Sequence, residues 1–109
     1  MMSATLVDGI TPYRAEQLRR VRNVVLAGLA AFRAKVYLFG SYARGTPRQW
    51  SDIDVAVDPL EPLPLGLQSE IRESLEESSI PFEIDLVDMR DVSPTMRRAI
   101  EKEGVAWRT

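Results

Sequence analysis

The sequence predicts a single-domain α/β (α+β) fold, a mixed β-sheet flanked by helices, and three observations carry that expectation. One long stretch repeats its apolar residues every three or four positions. Three short segments instead alternate or run apolar over four to six residues. Two of the three Ser/Thr-Pro dipeptides, Thr11-Pro12 and Ser93-Pro94, pair a helix-capping side chain with a residue favoured at the first helical position, while Thr46-Pro47 begins a polar loop.

The elements follow in chain order. Residues 1–10 lack periodicity and are expected to form a flexible N-terminus, with the domain spanning 11–109. After Thr11-Pro12, residues Leu18, Val21, Val25, Leu29 and Phe32 form one apolar stripe. A helix of about five or six turns is therefore expected, with Arg14, Arg19, Arg22 and Arg33 largely off the stripe. Val36 to Phe39 reads as a short buried strand. Gly40 to Gly45 reads as a turn with room for one helical turn. In Asp52 to Val57, Ile53, Val55 and Val57 alternate with Asp52, Asp54 and Ala56, so this strand has an apolar face and a carboxylate face. Pro59, Pro62 and Pro64 stiffen the connection to a second helix marked by Leu67, Ile71 and Leu75. Pro81 ends that helix, and Phe82 to Val87 is a third strand with Glu83, Asp85 and Val87 on one face. Ser93-Pro94 opens a third helix with Met96, Ala99 and Ile100 expected inward and Gly104 as its stop. Val105 to Trp107 is expected as an edge strand, and the sheet is expected to be covered by helices on one side.

Composition narrows the chemistry. The 109 residues suffice for one modest core. Neither cysteine nor histidine occurs, which excludes disulfides, thiolate sites, His-based zinc sites and a Ser-His triad. Reaction chemistry must therefore use carboxylates, Arg, Lys, Tyr, hydroxyls or a bound metal. No 18-residue apolar stretch or signal-like N-terminus is present, so no membrane partner and a cytoplasmic location are expected. Net charge is −2 but unevenly spread. Residues 1–50 hold eight basic against two acidic side chains, and residues 51–109 hold six against fourteen. Mutual attraction of the two halves within one fold is the simpler explanation, ahead of a basic surface for a polyanion.

Gly40-Ser41 ends the first strand, and ten residues later comes Asp52-x-Asp54. A glycine turn offers backbone N–H groups to phosphate oxygens, and paired carboxylates offer hard ligands to a divalent metal. Asp52 and Asp54, alternate residues on a strand, project to one face about 6–7 Å apart. Asp85, on the polar side of an apolar run, is the third candidate, with Asp88 and Glu83 nearby as substitutes. A bare Asp-x-Asp is usually solvent decoration, and a lone Gly-Ser is an ordinary turn. Their coupling at this spacing reads as a nucleoside-triphosphate site. Arg44, inside the motif, is the best-placed cation for the phosphates, whereas Lys35 and Arg48 are expected as surface charge. Tyr42 and Trp50 are expected in core or rim packing rather than stacked on a base. The Arg-rich first helix lacks interleaved exposed aromatics, so direct nucleic-acid binding is not expected. There is no Walker A loop and no dinucleotide fingerprint.

The pattern Gly40-Ser41, Asp52-x-Asp54, Asp85 resembles the signature of the DNA polymerase β-like nucleotidyltransferase superfamily. The stretches GSYARGTPRQWSDIDVAV and FEIDLVDMRDVSPTMRRAIEKEGV are similar to its minimal nucleotidyltransferases, over roughly residues 20–109. The resemblance implies the polymerase β-like fold, Mg²⁺ as cofactor, ATP as donor, and transfer of AMP with release of pyrophosphate. It implies that Gly40 and Ser41 hold phosphates, that Asp52, Asp54 and Asp85 ligate metal, and that Asp85 helps activate the incoming hydroxyl. Minimal nucleotidyltransferases often pair with a HEPN-domain toxin as its antitoxin and adenylylate a tyrosine of it, which implies a hetero-oligomer in a type VII-like toxin–antitoxin pair. Two alternatives stand beside this: neutralisation of the partner by binding alone, and nucleotidyl transfer to RNA or a small molecule. The larger relatives that use such acceptors add a substrate domain not expected here.

Overall fold

A computed structural model describes residues 9–109. The expected flexible N-terminus falls, for residues 1–8, outside the described residues; Ile10 packs against the main core. Helix α1 (Pro12–Gly28) leads into β1 (Ala34–Phe39), the short helix α2 (Ser41–Arg44) and β2 (Ile53–Pro59). Then follow α3 (Leu67–Glu77), β3 (Ile84–Asp88), α4 (Pro94–Glu103) and β4 (Val105–Arg108). The sheet order is β3-β2-β1-β4, with β1 antiparallel to both β2 and β4 and β2 parallel to β3. The 40–52 segment, which contains α2, joins the antiparallel pair β1–β2, and the crossover through α3 permits the parallel pair β2–β3.

Both Ser/Thr-Pro starts are real. The Thr11 side chain accepts from the Arg14 N–H at 3.2 Å, and that of Ser93 from the Met96 N–H at 3.1 Å, each satisfying an N–H that the helix leaves free. α1 is shorter than its apolar repeat implied, 17 residues ending at Gly28. The repeat reports burial rather than helical backbone: Leu29 is fully buried just past the helix end, and Phe32 half-buried in the following turn. Gly28 itself lies against α3, where an added Cβ would stand 2.6 Å from Cγ1 of Ile71.

Val36, Leu38, Ile53, Val55, Val57 and Leu86 point to one face and pack under Val21, Val25 and Leu29 of the α1 region and Ile71 and Leu75 of α3. The opposite face was expected to be uncovered. Instead α4 lies across part of it, and Ala56, Met89 and Ile100 form a second, smaller cluster with Tyr37, Phe39 and Val87. Ala56 is small enough to sit between two carboxylates on its strand and still be fully buried. Only part of the α4 stripe is used, however. Ile100 is buried, but Met96 and Ala99 are exposed, against expectation. The helix is tied down instead by Arg97, which donates to both carboxylate oxygens of buried Asp58 at 3.1 Å and to the Met89 carbonyl at 3.1 Å. Gly104 ends α4 with an extended backbone (φ −71°), so left-handed freedom is not its use. A Cβ there would meet the carbonyls of Ile100 and Leu38, and glycine lets the chain turn directly into β4.

Candidate active site

β1 delivers the chain to Gly40 at the point where β2 begins, because the antiparallel register sets Phe39 opposite Asp54. Gly40 has φ +77°, a conformation that costs other residues strain. It is also pressed on the Asp54 side chain: a Cβ at position 40 would overlap Oδ2 of Asp54. The turn continues as α2 and is closed by Gly45 at φ +73°, whose neighbour Thr46 donates its N–H to the Ser41 carbonyl at 2.9 Å. The first N–H groups of such a turn have no partner within it and stay available beside the Ser41 hydroxyl.

Tyr42 faces inward and is fully buried, so it is a core residue, as expected. Its hydroxyl accepts from Nη1 of Arg14 at 2.7 Å, and the same nitrogen donates to the Arg48 carbonyl at 3.2 Å. Arg14 thus joins α1, α2 and the 46–52 loop. Burial pushes the Tyr42 phenol above its ordinary value, against the opposing effect of Arg14. Sequence reasoning missed this support because an off-stripe arginine looks like any solvated one.

The three carboxylates come from two strands. Pairing of β2 with β3 begins where the Ile53 N–H donates to the Glu83 carbonyl at 2.9 Å, and it places Asp54 opposite Asp85. Asp52 immediately precedes β2. Asp54 is half-buried, whereas Asp52 and Asp85 are exposed. Burial, then the charges of Asp85 and Asp52, push the Asp54 carboxyl up to about 6, and only Arg44 opposes them. The four residues therefore share one electrostatic neighbourhood. Among the described residues, no three Asp, Glu, His or Cys side chains already converge closely enough to hold an ion. The cavity beside Asp52 runs along Trp50, Ile80, Phe82 and Glu83. Like charges facing one another without a cation favour separation, and the two exposed side chains have room for it.

The alternative third ligand, Asp88, is otherwise engaged. Oδ2 of Asp88 accepts from Arg90 Nη2 at 2.7 Å and from Gln68 at 2.8 Å, and the Arg90 guanidinium holds its carboxyl below the usual range. It also sits opposite Val57, at the far end of the parallel pair from Asp54. Lys35, opposite Asp58, is likewise at the wrong end of β1. Trp50 is neither core nor closely packed rim: it is 84% exposed. A bulky apolar residue in a polar loop looked like a packing residue, but the loop carries it outward.

Residues 33–106, well over half the chain, match the family described as Polymerase beta, Nucleotidyltransferase. The chain is 34% identical over 89 residues to the Probable protein adenylyltransferase MntA of Haemophilus influenzae, covering 82% of this chain and 76% of that protein. It is 36% identical over 69 residues to the Protein adenylyltransferase MntA of Shewanella oneidensis, covering 63% of this chain and 49% of that protein. The chain thus spans about half the length of the second relative. Among solved structures, one assigned to a minimal nucleotidyltransferase superposes with a TM-score of 0.67 at 33% identity, covering 83% of this chain and 92% of that one. A toxin–antitoxin structure with AMP-PNP superposes with a TM-score of 0.61 at 30% identity, covering 79% and 71%.

Proposed function

The chain belongs to the polymerase β nucleotidyltransferase family, and on that premise we propose that it transfers AMP from ATP to a hydroxyl, a tyrosine's, on a HEPN-type toxin, acting as that toxin's antitoxin. The adenylyltransferase relatives and the AMP-PNP-bound toxin–antitoxin structure support donor, reaction and partner together. The observation that carries the reading is the seating of Gly40 on Asp54. It joins the phosphate-type turn and the carboxylate strand into one place.

Asp52, Asp54 and Asp85 would hold Mg²⁺. An all-carboxylate, hard-oxygen donor set suits that ion, and the self-repulsion that raises Asp54 is the kind a dication relieves. When bound, the ion would offset the negative charge of the phosphates and of the transition state. The chain's own residues do the rest. The Ser41 hydroxyl and the N–H groups of its turn donate to phosphate oxygens, and the close backbone approach at Gly40 leaves space for them. Arg44, within electrostatic reach of Asp54, offsets charge building on the departing pyrophosphate. The acceptor oxygen attacks the α-phosphorus, the bond to the β-phosphate oxygen breaks, and the hydroxyl proton passes to Asp85. Exposure of Asp85 leaves it accessible to a macromolecular acceptor. With ATP as donor, the reaction belongs in the cytoplasm.

Co-expression with the partner and α-labelled ATP tests this. Label is expected on the partner with the natural chain and none with the Asp52→Asn, Asp54→Asn variant. Undiminished labelling by that variant refutes the assignment. Full rescue of growth by a non-labelling variant would instead point to neutralisation by binding alone.

A further inference from the structure

Two clefts share Ile80, Phe82 and Glu83 as a common wall, and together they form one groove across the start of β3. The first, about 330 Å³, is bordered by Trp50, Asp52 and Pro81. The second, about 280 Å³, continues along α3 past Arg72, Leu75 and Glu76. The shared wall is firmly held. Ser79, just before it, has φ +58°, a strained value for a serine. Arg20 of α1 fixes the same turn by donating to the Ser78 carbonyl. The Phe82 ring lies 6.2 Å from that of Tyr13 and 6.3 Å from that of buried Tyr42.

We propose that this groove docks the acceptor segment of the protein substrate, an extended stretch that presents its tyrosine with a lysine or arginine two residues away. The inference rests on the reading of the chain as a protein adenylyltransferase. Charge is the first support. Asp52, Glu76 and Glu83 line the groove against Arg72 alone among the described residues, and Arg72 is turned back to the Leu86 carbonyl at 2.9 Å. A basic segment is favoured there, and the same field repels a nucleic-acid acceptor. Spacing is the second. Glu83 and Asp85 are alternate residues at the start of β3, so their side chains share a face about 6–7 Å apart. Alternate residues of an extended acceptor have the same separation, so a cation paired with Glu83 sets the tyrosine against Asp85. Trp50, 84% exposed, is the third. A single exposed apolar residue needs no partner. One that borders a formed cleft beside Asp52 has the character of an interface anchor, a role in which tryptophan is enriched.

Titration calorimetry of the full chain with its toxin partner, in the absence of nucleotide, reads docking apart from chemistry. Trp50→Ala is expected to weaken the partner at least about tenfold. Glu83→Lys should do the same and flatten the salt dependence of binding. In AMP transfer both should raise KM for the partner and leave KM for ATP unchanged. A short peptide carrying tyrosine with arginine two residues away should inhibit transfer to the partner more strongly than one with glutamate in that place. Both side chains are exposed, and circular dichroism establishes that the variants are folded. Unchanged partner affinity in folded Trp50→Ala and Glu83→Lys overturns the proposal. So does a rise in KM for ATP alone, which would give the groove to the nucleotide. Equal inhibition by the two peptides overturns the basic acceptor. Should the natural chain transfer no AMP while Trp50→Ala still weakens the partner, the adenylylation reading fails and the docking surface stands without it.

Discussion

Asp54 sets stability against chemistry within one side chain. Its carboxyl titrates at about 6 in the fold against an ordinary 3.8, so the folded protein binds this proton more tightly than the unfolded chain does. The resulting stabilisation is complete below the ordinary value and is lost as pH rises through about 6. The metal-free protein should therefore be more stable at pH 5 than at pH 7.5 by about 1 kcal/mol from this group, once screening at a partly exposed site is allowed for. Asp54→Asn should flatten that dependence and raise the melting temperature at pH 7.5 while abolishing AMP transfer. An unchanged pH profile of melting would show that the group is not under strain. Gly40 is the second residue of consequence. Gly40→Ala adds a methyl group at positive φ against Asp54 and should cost on the order of 1–3 kcal/mol. Part of that cost should vanish in an Asp54→Ala background, because the overlapping oxygen is then gone. Strict additivity in urea denaturation would argue that only the backbone strain matters.

At the scale of elements, α1 supports the site without touching its chemistry. Arg14→Met keeps the helix-compatible stem but loses the bonds to the Tyr42 hydroxyl and the Arg48 carbonyl. A loss of about 1–2 kcal/mol is expected from the buried phenol left unpaired, with a raised KM for ATP as the turn loosens. An unchanged KM would confine Arg14 to stability. Gly28→Ala sets two effects against each other. Alanine gains about 1 kcal/mol of helix propensity, but its Cβ would stand 2.6 Å from Ile71 Cγ1 at the α1–α3 contact. Overpacking costs about 1–3 kcal/mol, so net destabilisation is expected in chemical denaturation. These cases mark what the sequence could and could not tell. The caps at Thr11 and Ser93, the alternation in β2 and the spacing from Gly40 to Asp54 are local signals, and all were legible. The end of α1 was not, because Leu29 is buried whether or not its backbone is helical. Nor was the outward turn of Met96, Ala99 and Trp50, since an apolar residue shows what it resembles but not whether a neighbour covers it. The pairing of Asp54 with Asp85 needed the crossover register, which no single segment encodes.

Over the whole molecule, the opposite charges of the two halves do not meet as ion pairs among the described residues. Arg19–Glu16, Arg90–Asp88, Arg97–Asp58 and Arg97–Glu101 each stay within one half. Arg97–Asp58, whose aspartate is buried, fastens β2, the β3–α4 connection and α4 together. Arg97→Ala should therefore destabilise by about 1–3 kcal/mol by leaving Asp58 unpaired; Arg97→Ala with Asp58→Asn should recover part of it. A loss no larger than for Arg19→Ala would mean that α4 holds by its apolar contacts alone. The two sources of the carboxylates have a temporal consequence as well. Gly40 and Asp54 meet through neighbouring antiparallel strands, a pairing of short sequence separation, whereas Asp85 arrives only after the chain has passed through α3. Loops of short span close first. A nascent chain on the ribosome is thus expected to set its glycine turn against Asp54 first, and to lack its third carboxylate until the β3 segment emerges and docks alongside.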